Sequence, residues 1–306
     1  MAVFVGVDVS AHRLDIALGD EVRQFPNPGG IPDVLRWLPR GAVVGLEATG
    51  VYGRPLAFAL HRAGFRVYLL NPMAVRSYAR SLLRRAKTDR ADARLIARFL
   101  AERHEDLAPY EPTEDVLYQV SLLVRFARGL VGQRVAVLNR LHAWEYAWPD
   151  GKGILRHVPE VLAGLREEVE GQALELLRTD PVAWSQFQAL QTVPGIGPSV
   201  DLVVLAYSGD LRRFSSGRAY AAYTGLTPRV YQSGELPERA RISRMGPGPL
   251  RGAFWIAALH AQRVEPYASL VARLVDGGKP KKVALVAVAN RLARAAWSVV
   301  VKGGVE

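Results

Sequence analysis

Short runs rich in β-branched residues fill the first 25 positions of the chain, at 3–9, 12–18 and 21–25. The polar breaks between them are too short for a helix, so they predict three strands in a meander. Further strand-like runs at 42–46 and 65–70 alternate with helical stretches. Those stretches lie at 31–38, 52–63, 72–83 and 89–102. This order predicts an α/β fold in which helices cover a mixed sheet.

Two acidic residues fall within or directly after strands of this sheet. Asp8 interrupts the apolar run 5–9, and Glu47 follows the run 42–46. A carboxylate in a desolvated strand is costly, so something must compensate for it. Two strands that end in carboxylates at one sheet edge would form a site for Mg²⁺ or Mn²⁺, which prefer hard oxygen ligands. The alternative is that each is an ordinary turn or salt-bridge acid at a strand end.

A second pair of acids, Asp89 and Asp92, lies three residues apart at a predicted helix start, so both share one helix face. Both could point to the same site. Four carboxylates holding two metal ions would activate a nucleophile and stabilise the leaving oxygen of a phosphodiester. Helix capping explains the spacing at least as well, with Asp89 as N-cap and Asp92 in the first turn.

The charge distribution indicates a polyanionic partner. The net charge is +11, and from residue 186 onward sixteen Lys/Arg stand against seven Asp/Glu. The segment 62–98 holds ten basic residues and only two acids. Such a field attracts nucleic acid, although a solvated arginine-rich surface is the simpler alternative. Four basic residues flanking the second acid pair would hold a DNA backbone: Arg84, Arg85, Lys87 and Arg90.

The middle of the chain has a heptad-like seam of apolar residues from Leu117 to Leu141, and a second helical stretch at 158–177 follows it. Such a seam packs a helical hairpin or a dimer. We therefore expect three domains: a catalytic domain at 1–108, a helical coiled-coil connector at 109–183, and a mostly helical domain at 184–306. The seam also indicates a homo-oligomer, a dimer or a tetramer.

Several classes of protein are disfavoured. The chain has no cysteine, which excludes disulfides, thiolate zinc sites and cysteine nucleophiles. Residues 1–10 do not have the pattern of a signal peptide. The apolar stretch 283–301 contains Asn290, Arg291 and Arg294, so we expect a packing helix rather than a membrane span. The absence of cysteine leaves the redox compartment open, whereas the N-terminal pattern and the polar residues in 283–301 favour a cytoplasmic protein without a membrane partner.

The segment 193–198 reads Val-Pro-Gly-Ile-Gly-Pro, the pattern of a helix-hairpin-helix turn. In such a turn the backbone amides near Gly195 and Gly197 could bind a phosphate at a helix start. A plain tight turn between two packed helices is the alternative.

Several of these segments resemble motifs of the DEDD-type transposases of bacterial insertion sequences, a group that includes the Piv-type DNA invertases. In the first half the resemblance lies in Gly6–Ser10, Leu46–Tyr52 and Lys87–Ala93. In the second half it lies in Tyr223–Pro228, Gln232–Gly234, Arg241–Ser243, Leu250–Arg251 and Lys281–Ala284. The resemblance therefore extends across nearly the whole chain.

The resemblance implies a RuvC-like, ribonuclease-H-type first domain whose four acids bind Mg²⁺ or Mn²⁺. They correspond here to Asp8, Glu47, Asp89 and Asp92. It also implies that Ser233 is the nucleophile, although a Ser-Gly pair by itself is an ordinary turn.

The family resemblance further implies DNA as substrate, a noncoding RNA that selects the DNA sites, and a bacterial, nucleoid-associated enzyme. Ser233 could act at the site of a neighbouring subunit. We expect Arg241 and Arg251 to contact nucleic acid. One departure affects this last expectation: where relatives carry a Gly-Asn pair before the arginine, residues 243–249 read Ser-Arg-Met-Gly-Pro-Gly-Pro.

Three other functions are compatible with parts of the sequence. A structure-selective nuclease of the junction-resolvase type would use the same metals with water and form no covalent intermediate. A non-enzymatic nucleic-acid scaffold would not need all four acids. An actin-like kinase also begins with a Gly-x-Asp strand, but the sequence has no second phosphate loop. The six histidines are scattered, and no Ser-His-Asp arrangement is readable.

Overall fold

The computed structural model describes residues 2–47, 50–82, 89–112, 115–151, 153, 155–231 and 239–303. The chain forms two compact units, Met1–Pro112 and Thr113–Glu306, each with its own core. A division into three domains with a connector at 109–183 is finer than these two units and stays a prediction.

Unit 1 is a five-stranded mixed sheet with helices on both faces. The strands are β1 (Phe4–Val9), β2 (Arg13–Leu18), β3 (Glu21–Pro26), β4 (Val43–Glu47) and β5 (Arg66–Leu70). The helices are α1 (Ile31–Trp37), α2 (Arg54–Arg62), α3 (Pro72–Ser81) and α4 (Asp89–Arg103). The strand order is β3-β2-β1-β4-β5, with β1, β2 and β3 antiparallel and β1, β4 and β5 parallel. The predicted α/β architecture is confirmed.

Successive side chains of the central strands point to opposite faces of the sheet, so the core of unit 1 consists of two layers. Val5 and Val7 of β1, with Val44 and Leu46 of β4, point to the face covered by α1 and α2. On the opposite face, Val43 and residues of β5 pack against α3 and α4. Because side chains alternate between faces, Gly6, Asp8, Gly45 and Glu47 belong to the face that α4 covers.

Helix α4 packs directly against the backbone of β1 because position 6 has no side chain. A Cβ at Gly6 would lie 2.1 Å from the carbonyl oxygen of Ala93 and 2.3 Å from the amide nitrogen of Ala97. Backbone atoms of a helix cannot move aside as a flexible side chain can. Glycine at position 6 therefore sets the depth at which α4 lies on the sheet.

Gly6→Ala should push α4 away from the sheet, at a cost of about 2–3 kcal/mol of unfolding free energy. Urea unfolding followed by circular dichroism measures this loss. Gly29→Ala is the matched control, since a Cβ at Gly29 meets nothing within 4 Å. Equal stability of the two variants would contradict this account of the α4 contact.

Unit 2 is mostly helical, with one two-stranded ribbon. Its helices are α5 (Asp115–Ala147), α6 (His157–Arg178), α7 (Pro181–Leu190), α8 (Pro198–Ser208), α9 (Gly217–Tyr223), α10 (Gly248–Ala261), α11 (Tyr267–Asp276) and α12 (Lys281–Lys302). Strands β6 (Pro228–Tyr231) and β7 (Arg239–Ile242) pair antiparallel and form the β6–β7 ribbon. By length and composition helix α12 is long and apolar enough to cross a membrane, yet one of its faces lies in the core of unit 2.

The predicted heptad seam lies on α5, against which α6 packs. Its first part is buried, as at Val120 and Val124, whereas Val131 and Leu138 are 44% and 40% exposed. Arg134 bridges the helix pair through a 3.2 Å hydrogen bond from Nε to the carbonyl oxygen of Pro159. The outer half of α5 thus presents apolar side chains to solvent in the single chain.

Candidate active site

The two acids predicted from the strand pattern lie on neighbouring parallel strands. Val7 of β1 is in register with Leu46 of β4, and Asp8 and Glu47 each follow by one residue. Adjacent strands are about 4.8 Å apart, so the two side chains leave the sheet beside each other and on one face. Both residues are half-buried.

The start of α4 reaches this same edge of the sheet. At the other end of the helix, the ring of His104 lies 4.8 Å from that of Phe4, at the beginning of β1. Ala93 lies over Gly6 in between, so α4 runs antiparallel to β1. From Ala93 back to Asp89 the helix extends about 6 Å, and from Gly6 on to Asp8 the strand extends about 6.6 Å in the same direction. The first turn of α4 is therefore level with Asp8.

The other two acids of the predicted metal site are at the start of α4. Asp92 is half-buried in the first turn of α4, while the side chain of Asp89 is outside the described part of the chain. Among the described side chains, no three acids or histidines are close enough together to hold a metal ion. However, Mg²⁺ usually takes only one or two carboxylates from the protein and fills its other positions with water and substrate phosphates. Asp8 and Glu47 fit that requirement by position and chemistry.

A further acid, which the sequence analysis did not identify, lies beside Asp8. Asp15 of β2 is directly opposite Asp8 and only 2% exposed. Like charges placed opposite each other in a sheet destabilise it unless they are compensated. Asp15 accepts a 2.8 Å hydrogen bond from Nε of Arg13 and a 2.6 Å bond from Nε2 of Gln24 on β3. The pattern Arg13-x-Asp15 in a predicted strand is the sequence signal by which Asp15 could have been found.

In unit 2, the predicted helix-hairpin-helix turn joins α7 to α8. Gly195 has a φ of +84°, and a Cβ there would lie 2.4 Å from the carbonyl oxygen of Ala257 on α10. Gly197 is the residue before α8. A cavity of about 440 Å³ lies between the turn and α10, with Ile256 and His260 on its far side. Gly195 is thus required for packing, whereas a Cβ at Gly197 would meet nothing within 4 Å. The phosphate contact stays a prediction.

Asp201 in the first turns of α8 is fully buried. Nε2 of Gln191 donates a hydrogen bond to its Oδ2, while its Oδ1 has no hydrogen-bond partner in the described part of the chain. Burial raises the pKa of this carboxyl from its usual value of 3.8 to about 8, against the opposing effect of the Gln191 hydrogen bond. The carboxyl therefore holds its proton in the folded protein at neutral pH.

Because the folded protein keeps this proton while the unfolded chain loses it near pH 4, the contribution of Asp201 to stability falls as the pH rises from about 4 to about 8. Asp201→Asn should remove this loss, so its melting temperature should exceed that of the wild type at pH 8 and approach it at pH 5. Differential scanning calorimetry across this range measures the difference.

The control is Asp180→Asn, because Asp180 is the N-cap of α7 and asparagine caps a helix equally well. Parallel melting profiles for the wild type and Asp201→Asn would show that this carboxyl is ionised in the folded state.

The structure describes some of the other predicted site residues fully, some by their backbone alone and some not at all. Arg251 is used within the chain: its Nη1 donates to the carbonyl oxygens of Gly246 at 2.9 Å and of Arg244 at 3.3 Å. Ser233, in the 232–238 connection of the β6–β7 ribbon, lies outside the described residues. The same holds for three basic residues near α4: Arg84, Arg85 and Lys87. For Arg90 and Arg241 the backbone is described and the side chain is not.

Comparison with known families identifies the chain. Residues 5–144 match a model of the DEDD and IS110 type that is described as transposase, and residues 187–272 match the model described as transposase IS116/IS110/IS902 family. The chain belongs to the IS110 family of transposases. The resemblance found in the sequence motifs is confirmed.

Relatives with assigned names cover most of this IS110-family chain. It is 28% identical over 262 residues to the pilin gene-inverting protein of Moraxella lacunata, across 83% of this chain and 79% of the relative. It is 29% identical over 281 residues to the transposase for insertion sequence element IS1328 of Yersinia enterocolitica, across 82% and 81%. It is 29% identical over 303 residues to a probable family 20 transposase of Pseudomonas aeruginosa, across 88% and 86%.

Proposed function

We propose that this chain is a DNA transposase or site-specific recombinase that cuts and rejoins strands with Asp8, Glu47, Asp89, Asp92 and Ser233. The observation that carries the proposal is the position of Asp8 and Glu47 on adjacent strand ends, at the edge where α4 begins. Membership of the IS110 family, with relatives named as transposases and as a gene-inverting protein, supports it. The strand order of unit 1 supports a RuvC-like, ribonuclease-H-type fold.

The four acids would hold Mg²⁺ or Mn²⁺, which when bound would polarise the phosphodiester and stabilise the charge that develops on its oxygens. Asp8 and Glu47 contribute from the sheet, and Asp89 and Asp92 from the first turn of α4. The positive end of the α4 dipole lies at the same edge and favours both the carboxylates and a bound phosphate. The pair of Asp15 and Arg13 lies beside Asp8 and keeps a further buried charge neutralised.

The serine supplies the nucleophile. Its Oγ attacks phosphorus, an ester bond forms between serine and phosphate, and the bond from phosphorus to the bridging sugar oxygen breaks. The serine proton passes to a neighbouring base or water, and the sugar oxygen leaves as a hydroxyl. A hydroxyl of another strand end then attacks the phosphoserine and regenerates the serine. Each ester broken is replaced by another, so the exchange needs no ATP.

The proposed partners are DNA and a noncoding RNA that selects the sites. The excess of basic residues after residue 186 supports a nucleic-acid partner, and so does the glycine turn at the start of α8. The exposed apolar side chains on the outer half of α5 support a homo-oligomer built on coiled-coil pairing.

Ser233→Ala should abolish covalent protein–DNA adducts and leave DNA binding intact, because only the attacking hydroxyl is lost. The substrate is a plasmid that carries the coding sequence with its flanking DNA. It is incubated with Mg²⁺ and RNA transcribed from that flank, and adducts are trapped in denaturant and counted on gels. Ser215→Ala is the control, since Ser215 is an exposed serine of the same unit.

Metal-dependent cleavage that persists in Ser233→Ala without any adduct would contradict the serine mechanism. It would support the nuclease of the junction-resolvase type instead. Removal of divalent ions with EDTA should stop cleavage under either mechanism.

A further inference from the structure

The β6–β7 ribbon is held at its base by contacts from outside the ribbon. Its pairs run from Pro228 with Ile242 to Tyr231 with Arg239, and Ser233 follows Tyr231 by two residues. Below the ribbon the two chain segments stay together: the amide of Ser243 donates to the carbonyl oxygen of Thr227 at 2.9 Å. The two strands of the ribbon are therefore held together beyond the end at which Pro228 pairs with Ile242.

The segments below the ribbon approach each other closely. The amide of Arg244 donates to the carbonyl oxygen of Gly225 at 3.1 Å. A Cβ at Gly246 would lie 1.9 Å from the carbonyl oxygen of Tyr223, so only glycine fits at that crossing. This crossing, formed by residues 223–225 and 244–246, is the base of the ribbon.

One arginine from α10 contacts both segments of the base. Nη1 of Arg251 donates to the carbonyl oxygens of Gly246 and Arg244 on one segment. On the other segment it lies against Gly225, where a Cβ would come within 2.9 Å of it. A planar guanidinium has several N–H donors in a fixed fork, so it can link carbonyls that a lysine ammonium would bind less rigidly. The carbonyl oxygen of Leu226, next in the chain, accepts a 3.4 Å bond from Nδ2 of Asn290 on α12.

We propose that Arg251 is a positioning residue for Ser233: its guanidinium locks the base of the β6–β7 ribbon and thereby holds in place the two strands between which the serine lies in the chain. This inference rests on the proposed function of Ser233 as nucleophile. The nucleic-acid contact expected for Arg251 from the sequence is the alternative role, and the bonds of its Nη1 to backbone carbonyls favour positioning.

The test compares Arg251→Met, Arg251→Lys and Ser233→Ala in the full-length protein, with the same plasmid, RNA and Mg²⁺ as above. Arg251→Met should lower the rate of adduct formation at saturating DNA by about tenfold or more, because a small misplacement of a nucleophile is costly. The DNA concentration at half saturation should change by less than about twofold. Arg251→Lys should recover part of the rate, and backbone amides at 239–244 should exchange hydrogen faster in Arg251→Met.

Arg273→Met, which removes an exposed arginine from α11, controls for the loss of one positive charge. Adducts that persist in Ser233→Ala would overturn the proposed function and this inference with it. If Ser233→Ala abolishes adducts, an unchanged rate in Arg251→Met would overturn this inference alone. Weaker DNA binding in Arg251→Met, with a smaller salt dependence and an unchanged rate at saturation, would overturn it in favour of a phosphate contact.

Discussion

The contact between the backbone of α4 and the backbone of β1 at Gly6 is the constraint on which unit 1 depends. Because no side chain separates them, the helix lies close to the central strand. It runs antiparallel to that strand, as the contact of His104 with Phe4 shows. The carboxyl ends of β1 and β4 and the first turn of α4 therefore meet at one edge of the sheet. A larger residue at position 6 would shift the helix and, with it, the acids that α4 carries.

Buried carboxyl groups are accommodated in two different ways in this protein. The two carboxylate oxygens of Asp15, which lies opposite Asp8, accept hydrogen bonds from Arg13 and Gln24. Asp201 has only Gln191 as a hydrogen-bond partner among the described residues, and burial raises its pKa to about 8. The first arrangement suits the edge where cations are proposed to bind, since the added negative charge is neutralised locally. The second belongs to helix packing beneath the glycine turn.

Much of this could be predicted from the sequence, because the signals are local. Period-two runs predicted the strands of unit 1, and an acid interrupting such a run singled out Asp8. The positions of Asp15 and Arg251 depend on tertiary contacts. The importance of Asp15 depends on the pairing of β1 with β2, which puts it opposite Asp8. The importance of Arg251 depends on the position of α10, which brings its guanidinium to the base of the ribbon. A basic residue in a basic segment predicts a nucleic-acid contact, and only the structure shows that Nη1 of Arg251 also binds carbonyls of its own chain.

The most direct measurement is a crystal structure of the protein soaked in MnCl₂, with anomalous diffraction locating the ion. The account predicts a Mn²⁺ ion liganded by carboxylate oxygens of both Asp8 and Glu47 and lying toward the first turn of α4, and predicts its loss in Glu47→Gln. An ordered Mn²⁺ bound elsewhere, with Asp8 and Glu47 both turned away from any ion, would contradict it.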